Sequence, residues 1–286
     1  MILGYRGSVN RWECDENDHL NVRFHVEKHW QALNSALDDL GLVPDVAPSD
    51  LSARTTVQHL RFLAEARLAA PLSGYVCVVN GPGRGSVDIL TELQQTFTGQ
   101  VISTCVHRVL DVAGSNTRDL PANAGSRGIA DQDCPYVSLN LDQTERFGFR
   151  TIGGGVVQAD ECGPDERLHI HHYMGRISDS MPHLWGELNA ESGILQEDEG
   201  GAVLEYRMRY HAPLRLHDRF MVRSGISGVG AKVQHFTHLL FNARTGKLCL
   251  SAQAAGVRMD LQARKATVVD EVTQAALRKQ MLLASA

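Results

Sequence analysis

Long hydrophobic runs are missing from this chain of 286 residues. A membrane-spanning helix needs roughly 18 or more consecutive apolar residues, whereas the longest apolar stretches, such as 75–79, have only the length of a strand. The first residues also lack the basic segment and apolar core of a secretory signal. We therefore expect a cytoplasmic protein without a membrane partner.

A basic surplus and paired cysteines are also lacking. Lys and Arg number 28 against 33 Asp and Glu, and the resulting net charge of -5 argues against a nucleic-acid partner. The six cysteines form no C-x-x-C pair, which is typical of reduced thiols. The 26 Gly and 9 Pro are dispersed without a period, so collagen-like and disordered classes are excluded. A small-molecule partner is the default expectation.

Short matches recur along the chain in the same order, at spacings between 142 and 149 residues. Each match is weak alone, but four of them at nearly one spacing indicate a duplication of one module. The matched pairs are Glu13-Cys14-Asp15 with Gln158-Ala159-Asp160, Ala70-Pro71-Leu72 with Ala212-Pro213-Leu214, Thr98-Gly99 with Thr245-Gly246, and Asp111-Val112 with Asp260-Leu261.

Each copy shows a short strand, a long helix and several long strands. In the first copy the apolar spacing predicts a helix from about Val22 to Leu40, and Gly41 ends it. Alternating runs around 57–68, 75–79, 87–97 and 101–112 predict strands, as does the alternation over 204–211 in the second copy. Such alternation is typical of antiparallel sheets that pack on one face and meet water on the other.

These elements predict an α+β fold in which an antiparallel sheet wraps around a central helix, the hotdog arrangement. Two copies in one chain make a double hotdog, which supplies the pairing that single hotdogs obtain by dimerising. We expect either a monomer or a homo-oligomer of such pseudodimers. The predicted parts are a first module over 1–112, an irregular connection over 113–149, a second module over 150–265, and a C-terminal helix within 266–286 with Val272, Ala276, Leu277 and Met281 on its apolar side.

The densest polar cluster lies between the first strand and the long helix, over 12–21. Its residues Asp15, Asn17, His19 and Asn21 resemble the D-x-N-G-H-M-N signature of hotdog acyl-CoA thioesterases, the 4-hydroxybenzoyl-CoA thioesterase superfamily and in particular its carnitine and betaine thioesterase relatives. Asp18 stands where that family usually has Gly, a residue that lets the backbone approach the thioester closely. The resemblance continues through 61–67 and covers most of the first copy.

The resemblance implies hydrolysis of an acyl-CoA thioester, with the CoA thioester as substrate and no further cofactor or metal. Asp15 suits a general base or nucleophile, and His19 and Asn21 would orient the water or the carboxylate. The free N–H groups in the first turn of the helix would receive the oxyanion. Without the resemblance, the same residues would be interpreted as a polar turn that caps the helix.

The second copy is aligned with this cluster at Asp160, with His169 in the place of Asn21 and three extra residues between them. It lacks the His-x-Asn pair, so it holds either a diverged site or only a support for the first. We include Asp160 and His169 among the candidate site residues and favour one competent site near Asp15.

Several other interpretations remain open. A hydratase of the MaoC type also uses Asp, Asn and His on a hotdog, with the signature D-x-N-P-x-H, and a hotdog can bind an acyl-CoA without turning it over. His25 and His29 have the i, i+4 spacing of a zinc helix, although the surrounding residues do not complete the motif. The histidines at 169, 171 and 172 are expected to point apart and to be exposed. Glu65 is either a further carboxylate of the pocket or the surface partner of an arginine.

Overall fold

The computed structural model describes residues 1–81, 85–114, 117–192 and 199–284. The chain divides into two compact units. The first comprises 1–127, 163–165 and 169–175, and the second comprises 128–162, 166–168 and 176–286, so the predicted connection over 113–149 is divided between them. Within the described ranges, no helix is long and apolar enough to cross a membrane.

The described residues of the first unit form one long α-helix, one short α-helix and seven strands. The strands are β1 (Ile2–Ser8), β2 (Leu42–Val43), β3 (Thr55–Phe62), β4 (Pro71–Val79), β5 (Ser86–Gln95), β6 (Val101–Leu110) and β7 (Ala113–Gly114), and the helices are α1 (Val22–Ala36) and α2 (Pro48–Arg54). The five longer strands form an antiparallel sheet in the order β1-β4-β5-β6-β3, and β2 pairs with β7.

Helix α1 packs on β1, β4 and β5 of this sheet. Its buried Ala32, Leu33 and Ala36 join Val76 and Ile89 in one apolar cluster, as the periodicity predicts. The helix continues as a 3-10 turn and ends at Gly41, whose φ of 64° lies in the left-handed region. The predicted end of this helix is confirmed because a glycine adopts that conformation without a steric penalty.

In the second unit, the part of the chain that the structure describes forms six strands and three α-helices. The strands are β8 (Arg150–Val156), β9 (Glu199–Tyr210), β10 (Arg219–Val229), β11 (Val233–Asn242), β12 (Leu248–Asp260) and β13 (Lys265–Ala266). The helices are α3 (Ile170–Ser178), α4 (Met181–Ser192) and α5 (Glu271–Lys279), of which α3 has residues in both units. The sheet is antiparallel in the order β9-β12-β11-β10-β8, and β13 pairs with β12.

Three details of the second copy differ from prediction. The one long helix is divided into α3 and α4. The polar residues of β9 do not face water: Glu205 is 2% exposed and accepts the N–H of Gly128, and Arg207 pairs with Asp131. Gly128 and Asp131 contact these residues on that face of the sheet. The alternation therefore predicted the strand but not what packs against it. In α5, Val272 is 81% exposed because the buried side is made by Gln274 and Leu277.

The two units share a loop geometry at a constant spacing of 148 residues. Isolated bridges pair Cys14 with Leu20 and Cys162 with Leu168. The N–H of Leu20 donates to the carbonyl of Ala66, and that of Leu168 donates to the carbonyl of Leu214. Leu214 is therefore equivalent to Ala66, so the match of 70–72 with 212–214 is wrong. The turns at Gly99 and Gly246 are equivalent, with φ of 70° and 69°.

Candidate active site

A tight loop over 14–20 carries the predicted signature. It follows the 3-10 helix Arg11–Glu13 and ends at Leu20, directly before Asn21, the N-cap of α1. Besides the bridge at its base, the loop is held by the hydrogen bond from the N–H of Leu20 to Ala66 (2.8 Å). Leu20 is buried in a small apolar cluster with Val9 and Leu72, which fixes the loop against the sheet. The signature residues therefore stand on an anchored turn.

The interior of this loop needs one left-handed residue. The N–H of Asp15 donates to the carbonyl of His19 (3.0 Å), and the N–H of Asp18 donates to the carbonyl of Asp15 (3.1 Å). Asp18 completes the turn with a φ of 58°, a conformation that favours glycine and that Asp tolerates better than most residues. Turn geometry thus accounts for the glycine that the family signature has here.

The loop brings the side chains of Asp15 and His19 together. Oδ1 of Asp15 lies 2.9 Å from Nδ1 of His19, and the two side chains are 13% and 16% exposed, so solvent reaches them only in part. The same Oδ1 accepts the N–H of Asn17 (3.0 Å). Burial alone would lower the pKa of His19, but the close contact with the Asp15 carboxylate and its negative charge outweigh burial and raise that pKa. The arrangement is a carboxylate–imidazole pair that favours a charged His19.

Asn21 is the N-cap of α1. Its side-chain oxygen accepts the N–H of Arg23 (2.9 Å), and its carbonyl accepts the N–H groups of Phe24 (2.9 Å) and His25 (3.2 Å). Most donors of the first turn are therefore engaged by Asn21 itself. The capping role considered for the polar turn is present at this residue, so Asn21 acts on the site through the start of the helix.

A buried ion pair next to the loop is absent from the sequence prediction. Nζ of Lys28 lies 2.6 Å from Oε1 of Glu13, and the two side chains are 4% and 9% exposed. The hydroxyl of Tyr5 lies 3.1 Å from the same Nζ. The sequence does contain an indication of this pair. Lys28 lies on the apolar face of the predicted helix and Glu13 lies shortly before that helix, a combination that predicts a buried charge with a partner.

A chain of buried histidines behind the loop was also missed. Oγ of Ser103 lies 2.8 Å from Nδ1 of His25 and 2.9 Å from Nε2 of His29. Oγ1 of Thr91 continues the chain, at 2.7 Å from Nδ1 of His29 and 3.1 Å from Nε2 of His107. Burial, with a smaller contribution from neighbouring charges, lowers the pKa of His25 to about 3, and burial alone does the same for His107. These imidazoles are neutral and hold the helix to the sheet. In the described parts of the chain, no group of three or more His, Cys, Asp or Glu is arranged to hold a metal ion.

Glu65 lies beside the loop rather than in a pocket of its own. Its carboxylate is 3.8 Å from Nε of Arg67, the arginine partner that the sequence offered as one alternative. Its charge is also among the smaller contributions that raise the pKa of His19. Cys14 faces another direction from Asp15, with its Sγ donating to the carbonyl of Asn10 at 3.5 Å. The six cysteines are free thiols.

The corresponding loop of the second copy has a similar fold but different side chains. With the bridge of Cys162 to Leu168 as reference, Gly163 stands in the place of Asp15 and Arg167 in the place of His19. The alignment of Asp160 with Asp15 is wrong, because Asp160 is exposed in the 3-10 helix Ala159–Glu161 and corresponds to Trp12. No insertion separates the copies here. His169 does stand in the place of Asn21.

The histidines at 169, 171 and 172 are clustered, and the expectation that they point apart is wrong. The ring centroid of His171 lies 4.3 Å from that of His172 and 5.8 Å from that of His169. Nη2 of Arg23 is 3.2 Å from Nδ1 of His172, which is 8% exposed. Burial, followed by the charges of these neighbours, lowers the pKa of His171 to about 3. The ring of His169, which precedes α3, stacks on those of His171 and His172, and the latter two are tilted relative to each other.

Comparison with known proteins gives a family match and several similar structures. Residues 162–277 match the model of the thioesterase-like superfamily. The 12:0-ACP thioesterase from Umbellularia californica is 12% identical, with a TM-score of 0.63 over 89% of this chain and 93% of that one. An acyl-ACP thioesterase from Bacteroides thetaiotaomicron is 13% identical, with a TM-score of 0.59 over 88% and 96%. No curated protein sequence matches the chain.

A third structure bears on the fold itself. A protein of unknown function with a hotdog fold from Alicyclobacillus acidocaldarius is 12% identical, with a TM-score of 0.54 over 90% of this chain and 95% of that one. At such identities the likeness concerns the fold, and it extends over nearly the whole chain. The predicted α+β double hotdog is therefore confirmed. The predicted likeness to thioesterases is confirmed at the level of the thioesterase-like superfamily, whose model matches residues 162–277, whereas the signature over 15–21 lies outside that match.

Proposed function

We propose that this chain hydrolyses acyl thioesters at the Asp15–His19 pair of its first unit, with acyl-CoA as the substrate class. The observation that carries the proposal is the 2.9 Å contact between Asp15 and His19, placed at the N-terminus of α1. A carboxylate oriented by an imidazole is a suitable base or nucleophile. The positive end of the helix dipole lies where an oxyanion would need stabilisation.

Hydrolysis at this pair proceeds through general-base attack by water. Asp15 takes a proton from a water molecule, and the hydroxide adds to the thioester carbonyl carbon. The oxyanion faces the start of α1, where the N–H of Val22 is the first-turn donor that Asn21 does not engage. The C–S bond then breaks, the thiolate takes the proton, and the acid and the free thiol leave. His19 holds the carboxylate in place through Nδ1.

The choice of CoA as the carrier rests on the likeness of 15–21 to the acyl-CoA thioesterase signature. Two of the similar structures are thioesterases of acyl-ACP. Each carrier presents the same thioester at the end of a pantetheine arm, so the chemistry at Asp15 would be identical. The mechanism therefore does not depend on the carrier, and the experiment compares both carriers.

The test is the release of free thiol from short, branched and aromatic acyl-CoAs and from matched acyl-ACPs. Asp15→Asn is compared with Glu16→Gln, which removes a charge from an exposed residue of the same loop. We expect Asp15→Asn to lower kcat/KM roughly 1,000-fold, as is typical for a lost general base. Glu16→Gln should keep nearly the wild-type rate.

Other outcomes identify the alternatives. Release from acyl-ACP without release from acyl-CoA would correct the carrier and keep the site. Addition of water to an enoyl-CoA, with no thiol released, would favour a hydratase. Tight binding of an intact acyl-CoA without turnover would favour a binding protein. Full activity in Asp15→Asn would contradict the proposed site.

A further inference from the structure

We propose that the buried pair of Lys28 and Glu13 positions the Asp15–His19 contact, so that both are positioning residues of the site. The catalytic part of this inference rests on the proposed function of that site. Its geometric part stands on the contacts of Glu13 alone, because this residue holds both ends of the loop that carries Asp15 and His19.

Glu13 joins three parts of the first unit. Its Oε1 is 2.6 Å from Nζ of Lys28 in the middle of α1, and its Oε2 accepts the N–H of Asn10 at 2.8 Å. Its backbone carbonyl accepts the N–H of Asn21 at 2.9 Å. The loop thus departs immediately after Glu13 and returns to a residue bound to Glu13. A shift of Glu13 would move Asp15 and the start of the helix together.

The pair is fixed by its surroundings. Lys28 is 3% exposed, its Nζ donates to the hydroxyl of Tyr5, and it lies 5.4 Å from the centre of that ring. Burial would lower the pKa of Lys28, but the hydrogen bonds to Glu13 and Tyr5 raise it more, and the side chain is charged. A buried charge without its partner is strongly unfavourable. The folded chain therefore keeps Lys28 on Glu13 and restricts the carboxylate to one position.

The second unit contains an equivalent ion pair at a spacing of 148 residues. Arg176 makes a close two-oxygen contact with Glu161, and the N–H of Gln158 donates to Oε2 of Glu161 (2.8 Å). Arg176 also lies 4.5 Å from the ring centre of Phe220, as Lys28 lies near Tyr5. The loop that follows has Gly163 in place of Asp15. Arg176 and Glu161 thus offer an internal control, because they form the same kind of ion pair beside a loop that has Gly163 and Arg167 at the positions of Asp15 and His19.

The experiment compares Lys28→Met with Arg176→Met, and uses Lys28→Arg as the conservative variant. The first readout is the titration of the His19 ring by NMR in histidine-labelled protein, which requires no substrate. The second is the separate effect on kcat and KM for thiol release from an acyl-CoA. Chromatography and circular dichroism show which variants stay folded.

We expect Lys28→Met to bring the titration of His19 back toward its ordinary pH and to lower kcat roughly 100-fold with little change in KM, as misplacement of a catalytic group does. Lys28→Arg should retain the wild-type titration, because arginine serves the same contact at 176. Arg176→Met should lower the midpoint of thermal unfolding as Lys28→Met does, and leave both His19 and kcat unchanged.

The inference is overturned if folded Lys28→Met keeps the wild-type titration of His19, or if Arg176→Met alters that titration equally. Should Lys28→Met not fold, Glu13→Gln tests the same contact, because it removes the charge and keeps the shape and the Asn10 contact. A wild-type protein that releases no thiol would contradict the proposed function, while the titration would still decide the positioning role.

Discussion

The loop over 14–20 and its counterpart over 162–168 have the same backbone plan and different chemistry. Both follow a 3-10 helix whose last Glu forms a capping box and an ion pair with the next helix. Both contain a left-handed residue that is not glycine, Asp18 with φ 58° and Glu166 with φ 61°. The first loop pairs Asp15 with His19, and the corresponding positions of the second loop are held by Gly163 and Arg167.

This contrast separates what the fold needs from what the reaction needs. The ion pair, the base of the loop and the left-handed turn are present in both copies, so they are explained by the structure of the loop. Asp15 and His19 are present in one copy, and no element of the loop's backbone depends on their side chains apart from the N–H of Asn17. Their proximity is the feature that structure alone leaves unexplained, which supports a chemical role.

The largest expected difference between the two loops is in activity. His19→Gln should lower kcat/KM roughly 100-fold, because the carboxylate of Asp15 loses the imidazole that orients it. Arg167→Gln, at the equivalent position of the second loop, should leave kcat/KM within roughly twofold of the wild type. The measurement is steady-state thiol release at saturating and limiting acyl-CoA.

A comparable loss in both variants would break the comparison, since it would mean that the second loop takes part in turnover. Asp160→Asn extends the same test to the residue that the sequence wrongly aligned with Asp15. Because Asp160 is exposed outside the loop, we expect no effect on turnover from that change.

The general plan of the fold could be predicted from the sequence, but the alignment of the two copies could not. The helix from Val22 and the hairpin turns at Gly99 and Gly246 follow from local periodicity and turn chemistry. The sequence contains two competing matches, Glu13-Cys14 with Glu161-Cys162 and Asp15 with Asp160, and only the bridges of Cys14 and Cys162 in the structure decide between them. A two-residue match between the copies indicates an equivalence only when the pairing register of the strands confirms it.

The proximity of Asp15 and His19 could be predicted better than the contacts of the residues around them. Asp15 and His19 were identified because the spacing of a short motif is local information. The partners of Lys28, His25 and His29 come from β-strands and turns far along the chain, and pairing of that kind depends on the register of the sheet. Sequence periodicity showed that these residues lie on the buried face of α1, but it could not show what neutralises or satisfies them there.

A smaller difference concerns the pH dependence of stability. The folded pKa of His19 lies above its ordinary value of about 6.5. Its contribution to the free energy of unfolding is therefore complete below that value and is lost as the pH rises through the folded pKa. The stability difference between wild type and His19→Gln should be larger near about pH 5.5 than near about pH 9. Urea unfolding at several pH values measures it.

The second loop provides the control for this dependence. Arginine side chains do not titrate in this pH range, so the difference between wild type and Arg167→Gln should not change with pH. The buried histidines act in the opposite sense: the pKa of His107 and of His238 is lowered to about 3, so their neutral forms stabilise the fold above about pH 6.5 and that contribution falls as the pH drops. The effect of His19 is isolated only by the difference in the free energy of unfolding between wild type and His19→Gln. If that difference did not change with pH, the charged pair of His19 and Asp15 would be contradicted.

The smallest expected effect is that of the family glycine at the left-handed position. Asp18→Gly removes backbone strain and adds entropy to the unfolded chain, and these two changes nearly cancel, within about 1 kcal/mol. Because Gly accepts a φ of 58°, the loop should keep its shape and kcat should stay within roughly twofold of the wild type.

Asp18→Val and Glu166→Val should each destabilise by about 1–3 kcal/mol, since a β-branched residue is strained there. Of these two, Asp18→Val alone should lower kcat, because it alone distorts the loop that holds Asp15 and His19. A large rise of kcat in Asp18→Gly would instead mean that the Asp18 side chain obstructs the thioester, and the left-handed turn would not be the whole reason for glycine at this position.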